Sequence, residues 1–244
     1  MSIAIMIRFA RPDHRERLHL AGIWLKRIGT EWISGYRYPG SRNSHAHAFL
    51  MPIVRRELAT LQVSLEPPCL FDLGCGNGSV AALIQKDGWQ VTGVDPSHEG
   101  IAAAKVAYPT LNLQEGSAYD DLVETYGRFP VVLSLEVVEH VYAPRDYART
   151  LYDLVEPGGT AIISTPYHGY WKNLALAVSG KLDRHFTALW DHGHIKFWSM
   201  ETFASLLNEV GFPDVRFRRV GRIPALAKSM IAVAKKPGNP CGRD

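Results

Sequence analysis

The sequence predicts an α/β domain built on a mostly parallel seven-stranded sheet, with helices on both faces and an antiparallel last strand. Three observations predict it. From Cys69 onward, short apolar runs rich in Val, Ile and Leu alternate with segments of helical periodicity. The first run, Leu70-Phe71-Asp72-Leu73, leads directly into Gly74-Cys75-Gly76-Asn77-Gly78, with glycines at alternate positions. The next run ends in an acidic residue, Asp95, 21 positions after Gly74, close to the spacing of a first β-α-β unit.

The elements follow in order. Residues 13–28 read as an amphipathic helix, with Leu18, Ile23, Leu25 and Ile28 apolar. Residues 32–44 are rich in Gly, Pro, Tyr, Arg and Ser and read as a loop. Residues 46–65 read as a helix with Pro52 in its first turns, stopped by Pro67-Pro68. Residues 1–66 are therefore an N-terminal helical extension to a core over 67–236. The core strands fall at 69–73, 90–94, 111–115, 131–135 and 160–164, with helices over 79–87, 98–107, 119–126 and 145–155. A further helix over 200–210 has Ser199 as N-cap and Glu201 in its first turn. Strands over 214–220 and 229–234 lie close enough in sequence to be antiparallel neighbours. The tail 237–244, with its prolines and glycines, reads as mobile.

Composition bounds the function. The chain has 244 residues, of which 46% are hydrophobic and 21% charged, so it can bury a large core without disulfides. Three cysteines make no framework and fit a reducing, cytoplasmic setting. The first nine residues lack the order of a signal peptide, and no run of about 18 apolar residues suggests a membrane span. A net charge of +3 makes no case for nucleic acid.

The glycine run points to a nucleotide-type cofactor. Glycines let a turn approach a ligand closely, and an acid ending the next strand can accept hydrogen bonds from a ribose. A plain turn with a surface acid would give the same letters, but strand, loop, helix, strand and terminal acid together favour the cofactor site. Dinucleotide enzymes carry G-x-G-x-x-G; here the third glycine comes one position earlier, and Asp72 sits two before the first. This D-x-G-x-G-x-G pattern resembles motif I of class I S-adenosylmethionine-dependent methyltransferases, a resemblance that runs from Cys69 to the final strand. It implies a Rossmann-like fold and a cofactor set of Asp72, Gly74, Cys75, Gly76, Asp95, Pro96, Ser117, Ala118 and Leu135. Asp72 suits the cationic amine of that ligand, Asp95 its ribose hydroxyls, Gly116-Ser117-Ala118 its adenine and Leu135 its thioether. Ser117 stands where such enzymes often have an acid.

Residues 131–141, Val-Val-Leu-Ser-Leu-Glu-Val-Val-Glu-His-Val, resemble the ubiquinone-biosynthesis O-methyltransferase branch. That resemblance implies a divalent metal, such as Mg2+, at Glu136, Glu139 and His140, whose spacing would share one helical face. Such an ion lowers the pKa of a bound phenol. Without it, Glu139 and His140 are the catalytic candidates, His140 as general base. The same Glu-x-x-Glu-His letters also occur where the residues only shape a pocket.

Residues 167–198 are an aromatic insertion longer than most connections, holding Tyr167, Tyr170, Trp171, Phe186, Trp190, Phe197 and Trp198. It reads as a lid over the acceptor, as a peripheral membrane contact through 167–190, or as packing. Asp191-His192-Gly193-His194 can bring imidazoles near the pocket, but His-x-Lys-Phe-Trp-Ser resembles a common connection in methyltransferases and makes His194 structural. The acceptor cavity is expected between Leu135, His140, Tyr167, Trp171 and the N-terminal segment. The expected activity is O-methylation of a small phenolic or quinone-precursor hydroxyl. Alternatives are N- or C-methylation of another metabolite, a nicotinamide-dependent oxidoreductase, and a binding module without turnover. Ser134-Leu135-Glu136-Val137 is not the Asn/Asp-Pro-Pro-aromatic motif of DNA amino-methylation.

Overall fold

A computed structural model describes residues 47–186, 188–190 and 193–238. The helix expected over 13–28, the loop over 32–44, Asp191, His192 and most of the tail lie outside the described residues.

Helix α1 (His47–Gln62) precedes the sheet. The chain then alternates: β1 (Cys69–Leu73), α2 (Ser79–Lys86), β2 (Gln90–Asp95), α3 (His98–Ala107), β3 (Asn112–Glu115), α4 (Leu122–Tyr126), β4 (Phe129–Leu135), α5 (Pro144–Leu154) and β5 (Val155–Pro166). Two short helices follow, α6 (Tyr170–Val178) and α7 (Leu182–Phe186), then α8 (Met200–Glu209), β6 (Val215–Val220) and β7 (Ser229–Lys235). The sheet order is β3-β2-β1-β4-β5-β7-β6. The first five strands are parallel, and β7 runs antiparallel to both of its neighbours.

Both faces are buried because neighbouring strand residues point to opposite sides and both are apolar. Leu70, Leu133, Ile162 and Ile231 pack with Ile84 of α2 and Ile101 of α3. On the other face Phe71, Val132, Ile163 and Ala232 pack with Tyr147 and Leu151 of α5 and Phe203 and Leu207 of α8. Leu50, Val54 and Leu58 of α1 enter the first of these cores, so residues 47–62, read from the sequence as part of an extension, help cover the sheet. Strand β7 is buried almost throughout, whereas β6 exposes Arg216 and Arg218. That contrast places β7 inside the sheet and β6 at its charged edge.

Helix α1 ends at Gln62 and not at 65, and two core elements start three or more residues from where they are expected. Strand β5 starts at Val155, directly after α5, and not at 160. Glu156-Pro157-Gly158-Gly159 reads as a turn, but the register shift between Phe129 and Val131 of β4 absorbs it and lets Val155 pair with Phe129. Helix α4 starts only at Leu122, because the Asp121 carboxylate accepts the Glu124 amide and caps it there.

A buried relay braces the strand ends that carry the site. The Tyr147 hydroxyl donates to Ser134 Oγ at 2.9 Å, and Ser134 Oγ donates to the Leu73 carbonyl at 2.8 Å. All three groups are dry, so removing the middle one strands two partners. We expect Ser134→Ala to destabilise the protein by about 2–3 kcal/mol and Tyr147→Phe by about 1 kcal/mol. Urea unfolding of both variants checks the order; the reverse order would mean that the relay does not brace β1 on β4.

Candidate active site

The five parallel strands end along one edge of the sheet, and the order reverses at β1, which has β2 on one side and β4 on the other. A crevice opens at such a point. Gly74 turns the chain out of β1 with φ of 90°, and its amide and that of Cys75 both donate to the Val94 carbonyl, at 2.8 and 3.0 Å. Gly93 lets β2 approach β1 closely: a Cβ there would meet the Asp72 carbonyl at 2.8 Å. The glycine turn is thereby clamped against the end of β2.

Asp95 ends β2 inside this clamp. Its Oδ2 accepts the Gly76 amide at 2.9 Å and its Oδ1 the Ser97 amide at 2.8 Å. Burial pushes its carboxyl up to about 6, against the pull of those two amides. Asp72 is buried beneath the turn, and its Oδ2 has no hydrogen-bond partner among the described residues. Burial, with the Asp95 charge adding, pushes the Asp72 carboxyl up to about 7. A buried carboxylate lacking a donor fits a cationic group brought by a ligand. Cys75 is buried with its thiol pushed well up, chiefly by burial, so it lines the turn as an inert neutral group.

Beyond β3, the Gly116 amide donates to the Asp95 carbonyl at 3.2 Å, which ties the loop after β3 to the end of β2. The Ser117 amide donates to Asp120 Oδ2 at 2.6 Å. The sequence reading found no acid at 117; the fold brings one to the same loop from three residues on. Pro96, Ser117 and Ala118 are half-buried around it and Leu135 is buried at the end of β4.

After β4 the expected helical face does not form. Residues 136–140 make a bend followed by a turn. Glu136 has φ of 57°, the one positive value at a non-glycine among the described residues. Strain of this kind persists where the surroundings enforce it, often at functional sites. Here the Glu136 amide donates to Ser164 Oγ at 3.0 Å, and that hydroxyl donates back to Glu136 Oε1 at 2.8 Å. Burial pushes the Glu136 carboxyl up to about 7, opposed by the Ser164 and Ser229 hydroxyls and the Lys172 ammonium. Glu136 thus faces β5 and β7.

Glu139 and His140 lie further along the turn. Glu139 is fully buried, and neither carboxylate oxygen makes a hydrogen bond. Burial raises its carboxyl and the Glu136 charge adds to this, while its own backbone amide and the Thr165 hydroxyl oppose the rise. The His140 and Gly193 groups meet at 3.2 Å between Nδ1 and the carbonyl, and the His140 and His194 rings pack edge to face at 4.9 Å. Among the described residues, ligand atoms of Glu139, His140 and His194 lie within 4.8 Å of one another. Glu136 does not join them, so the grouping that the resemblance implies is not the one the fold brings together.

The insertion packs against the turn after β4, the Ile195 and Lys196 amides both donating to the Glu139 carbonyl. Tyr167 and Trp198 form a β-bridge at its base, and the His168 amide donates to the Trp198 carbonyl at 2.9 Å. Lys172 turns inward from α6 and donates to the Tyr167 and Lys228 carbonyls at 2.6 and 3.3 Å. Burial lowers its ammonium to about 8, Arg222 adding and Glu136 opposing. His168 is buried between Phe197 and His185, with ring centroids at 5.0 and 5.2 Å. Burial first, then Lys172 and His185, lower it to about 4, so the imidazole is neutral at physiological pH. Tyr167 is buried as expected of a cavity wall, but Trp171 is 64% exposed and is not one. Lys172 takes the inward position, and the adjacent residue lies about 100° round the helix. The sequence reading missed Lys172. Its signal was a single cation within Tyr170-Trp171-Lys172-Asn173-Leu174, which reads as solvated until the fold turns it inward.

The profile of the methyltransferase domain family matches residues 42–216. A ubiquinone biosynthesis O-methyltransferase of Ruegeria pomeroyi is 31% identical over 150 residues, 60% of this chain and 60% of that protein. One from a Caulobacter species is 39% identical over 115 residues, 46% of this chain and 45% of that protein. The chain spans about half the length of the curated relatives it matches. An O-methyltransferase family protein from Burkholderia thailandensis shares the fold, with a TM-score of 0.55 at 17% identity over 77% of this chain and 57% of that one. With the profile covering most of the chain and the sheet in this order, the chain belongs to the methyltransferase domain family and has the Rossmann-like fold of class I S-adenosylmethionine-dependent methyltransferases.

Proposed function

We propose that the chain transfers a methyl group from S-adenosylmethionine to a hydroxyl of a small phenolic or quinone-precursor acceptor. The observation that carries this reading is the Asp72–Asp95 pair beneath the glycine turn. A buried carboxylate oxygen with no donor, Asp72 Oδ2, meets the need of an aminoacyl ammonium, and no pyrophosphate-binding glycine pattern is present. When bound, S-adenosylmethionine supplies a methyl group already activated by its sulfonium. The protein's part is to position and to exclude water. Asp72 holds the amine, Asp95 accepts from the ribose on lone pairs left by Gly76 and Ser97, and the loop with Ser117, Ala118 and Asp120 borders the adenine. Leu135 and Pro96 pack on the ligand. The acceptor lies between the end of β4 and the insertion, beside His140 and Glu139.

In support of the hydroxyl acceptor, the relatives above carry the name ubiquinone biosynthesis O-methyltransferase. Helix α6 supports a peripheral membrane contact in a cytoplasmic setting. Tyr170, Trp171 and Val178 are exposed on it, and Lys181 and Arg184 lie exposed just beyond. No helix among the described residues is long and apolar enough to cross a membrane.

The test is a transfer screen with labelled S-adenosylmethionine over phenols, quinone precursors, amines and carboxylates, with calorimetry of S-adenosylhomocysteine against NAD. Transfer to a hydroxyl is expected. Transfer only to nitrogen or carbon would replace the acceptor, and preference for NAD would overturn the reading.

The acid pair also sets a pH dependence. Asp72 has its folded pKa near 7, above the unfolded carboxylate value, so the native state without cofactor holds extra protons between about pH 4 and 7. Its stability should therefore fall as pH rises through that window. Affinity for S-adenosylhomocysteine should rise, by about tenfold from pH 6 to pH 8, as Asp72 ionises to meet the amine. Calorimetry across this range checks it; Asp72→Asn should flatten the profile.

A further inference from the structure

The turn after β4 holds a group that methyl transfer itself does not require. Glu139 is about as buried as any polar residue described, at 1% exposure, yet both of its oxygens are without partners. Burying a carboxylate this way is costly unless a cation or proton joins it. Two imidazoles lie against it. His140 comes from the same turn, and His194 from the segment that leads into α8. That segment is stapled in place: the Ile195 and Lys196 amides both donate to the Glu139 carbonyl, at 2.9 and 3.0 Å. The Gly193 carbonyl lies 3.2 Å from His140 Nδ1, a contact in which only the ring nitrogen can donate. A backbone carbonyl in this position is the usual outer partner of a metal-bound imidazole.

We propose that Glu139, His140 and His194 form a divalent-metal site of the two-histidine, one-carboxylate type, and that Glu136 is not one of its ligands. The donor set argues for a metal that accepts nitrogen, such as Zn2+, Mn2+, Fe2+ or Co2+. Mg2+ prefers oxygen and water and is the poorer match. Glu136 is occupied elsewhere, in its two-way contact with Ser164 and beside Lys172. The site itself does not depend on the methyl-transfer reading; its use does. Beside the methyl donor, such an ion would lower the pKa of an acceptor hydroxyl, and His140 would hold the ion instead of taking the proton itself.

The experiment uses the full chain stripped with chelator and titrated with Co2+ and Zn2+, followed by calorimetry and by the visible absorption of Co2+. One equivalent of Co2+ should bind. His194→Asn and Glu139→Gln should each weaken binding about a hundredfold or more, whereas Glu136→Gln should leave the affinity within about threefold. Mg2+ at equal concentration should not displace the Co2+ signal. Loss in Glu136→Gln with retention in His194→Asn would overturn the proposal in favour of the set Glu136, Glu139 and His140 that the resemblance implies. No binding by the unaltered chain would overturn it outright and leave Glu139 a protonated carboxyl. S-adenosylhomocysteine affinity, measured on the same samples, reports folding and the methyl-donor reading separately. It should be unchanged in all three variants.

Discussion

Asp95→Asn should reduce affinity for S-adenosylhomocysteine by two orders of magnitude or more. In the proposed complex Asp95 accepts from two ribose hydroxyls, and hydrogen bonds to a charged group are worth about 1.5–3 kcal/mol each. Losing two of them amounts to about 3 kcal/mol at least, hence a hundredfold or more in dissociation constant. A second effect points the same way. Asp95 Oδ1 and Oδ2 accept the Ser97 and Gly76 amides, and an asparagine amide can satisfy only one of them. The other backbone amide would face a donor, so the glycine turn itself should shift. Calorimetry measures the affinity, and circular dichroism shows whether the fold persists. A folded variant with unchanged affinity would place the ribose elsewhere and remove the basis of the cofactor reading.

Gly74→Ala should cost about 3 kcal/mol or more in stability and abolish detectable cofactor binding. At φ of 90° any side chain is strained, and an added Cβ would lie 2.3 Å from Val137 Cγ2. Val137 is β-branched and cannot swing its methyl aside freely. The contact can be isolated from the strain. Val137→Ala removes the methyl groups, so in its background Gly74→Ala should cost only the backbone term, about 1–2 kcal/mol. Urea unfolding of the four proteins gives the coupling. Additive costs would show that the glycine turn and the turn after β4 do not touch.

That contact also shows where the sequence was legible. The strands and helices from Cys69 to Glu115 follow their apolar periodicity, and Ser199 caps α8 as its position suggests, accepting the Thr202 amide at 3.2 Å. The glycine turn and its two acids were legible because strand, turn and acid lie within one β-α-β unit. The rest of the site is assembled from far apart. Spacing alone put Glu136, Glu139 and His140 on one face, since three residues at i, i+3 and i+4 align on a helix. The positive φ of Glu136 breaks that alignment, and its amide and carboxylate are held by Ser164, on another strand. His194 and Lys172 gain their roles from the Glu139 backbone and from the Tyr167 and Lys228 carbonyls. No local pattern encodes such partners. The start of β5 is likewise not local: Pro157-Gly158-Gly159 is turn chemistry by itself and is accommodated by the irregular register with β4.

The position of β7 has a consequence for how the chain is made. It enters the sheet between β5 and β6, pairing with Thr160–Pro166 on one side and Val215–Val220 on the other. On the ribosome, everything up to β6 emerges while that slot is still empty. During this interval β5 offers an apolar, unpaired edge, the kind of surface that recruits chaperones or foreign strands. The last strand therefore acts as a closing stave. A chain released before Ser229 should carry the whole glycine turn and both acids and still aggregate.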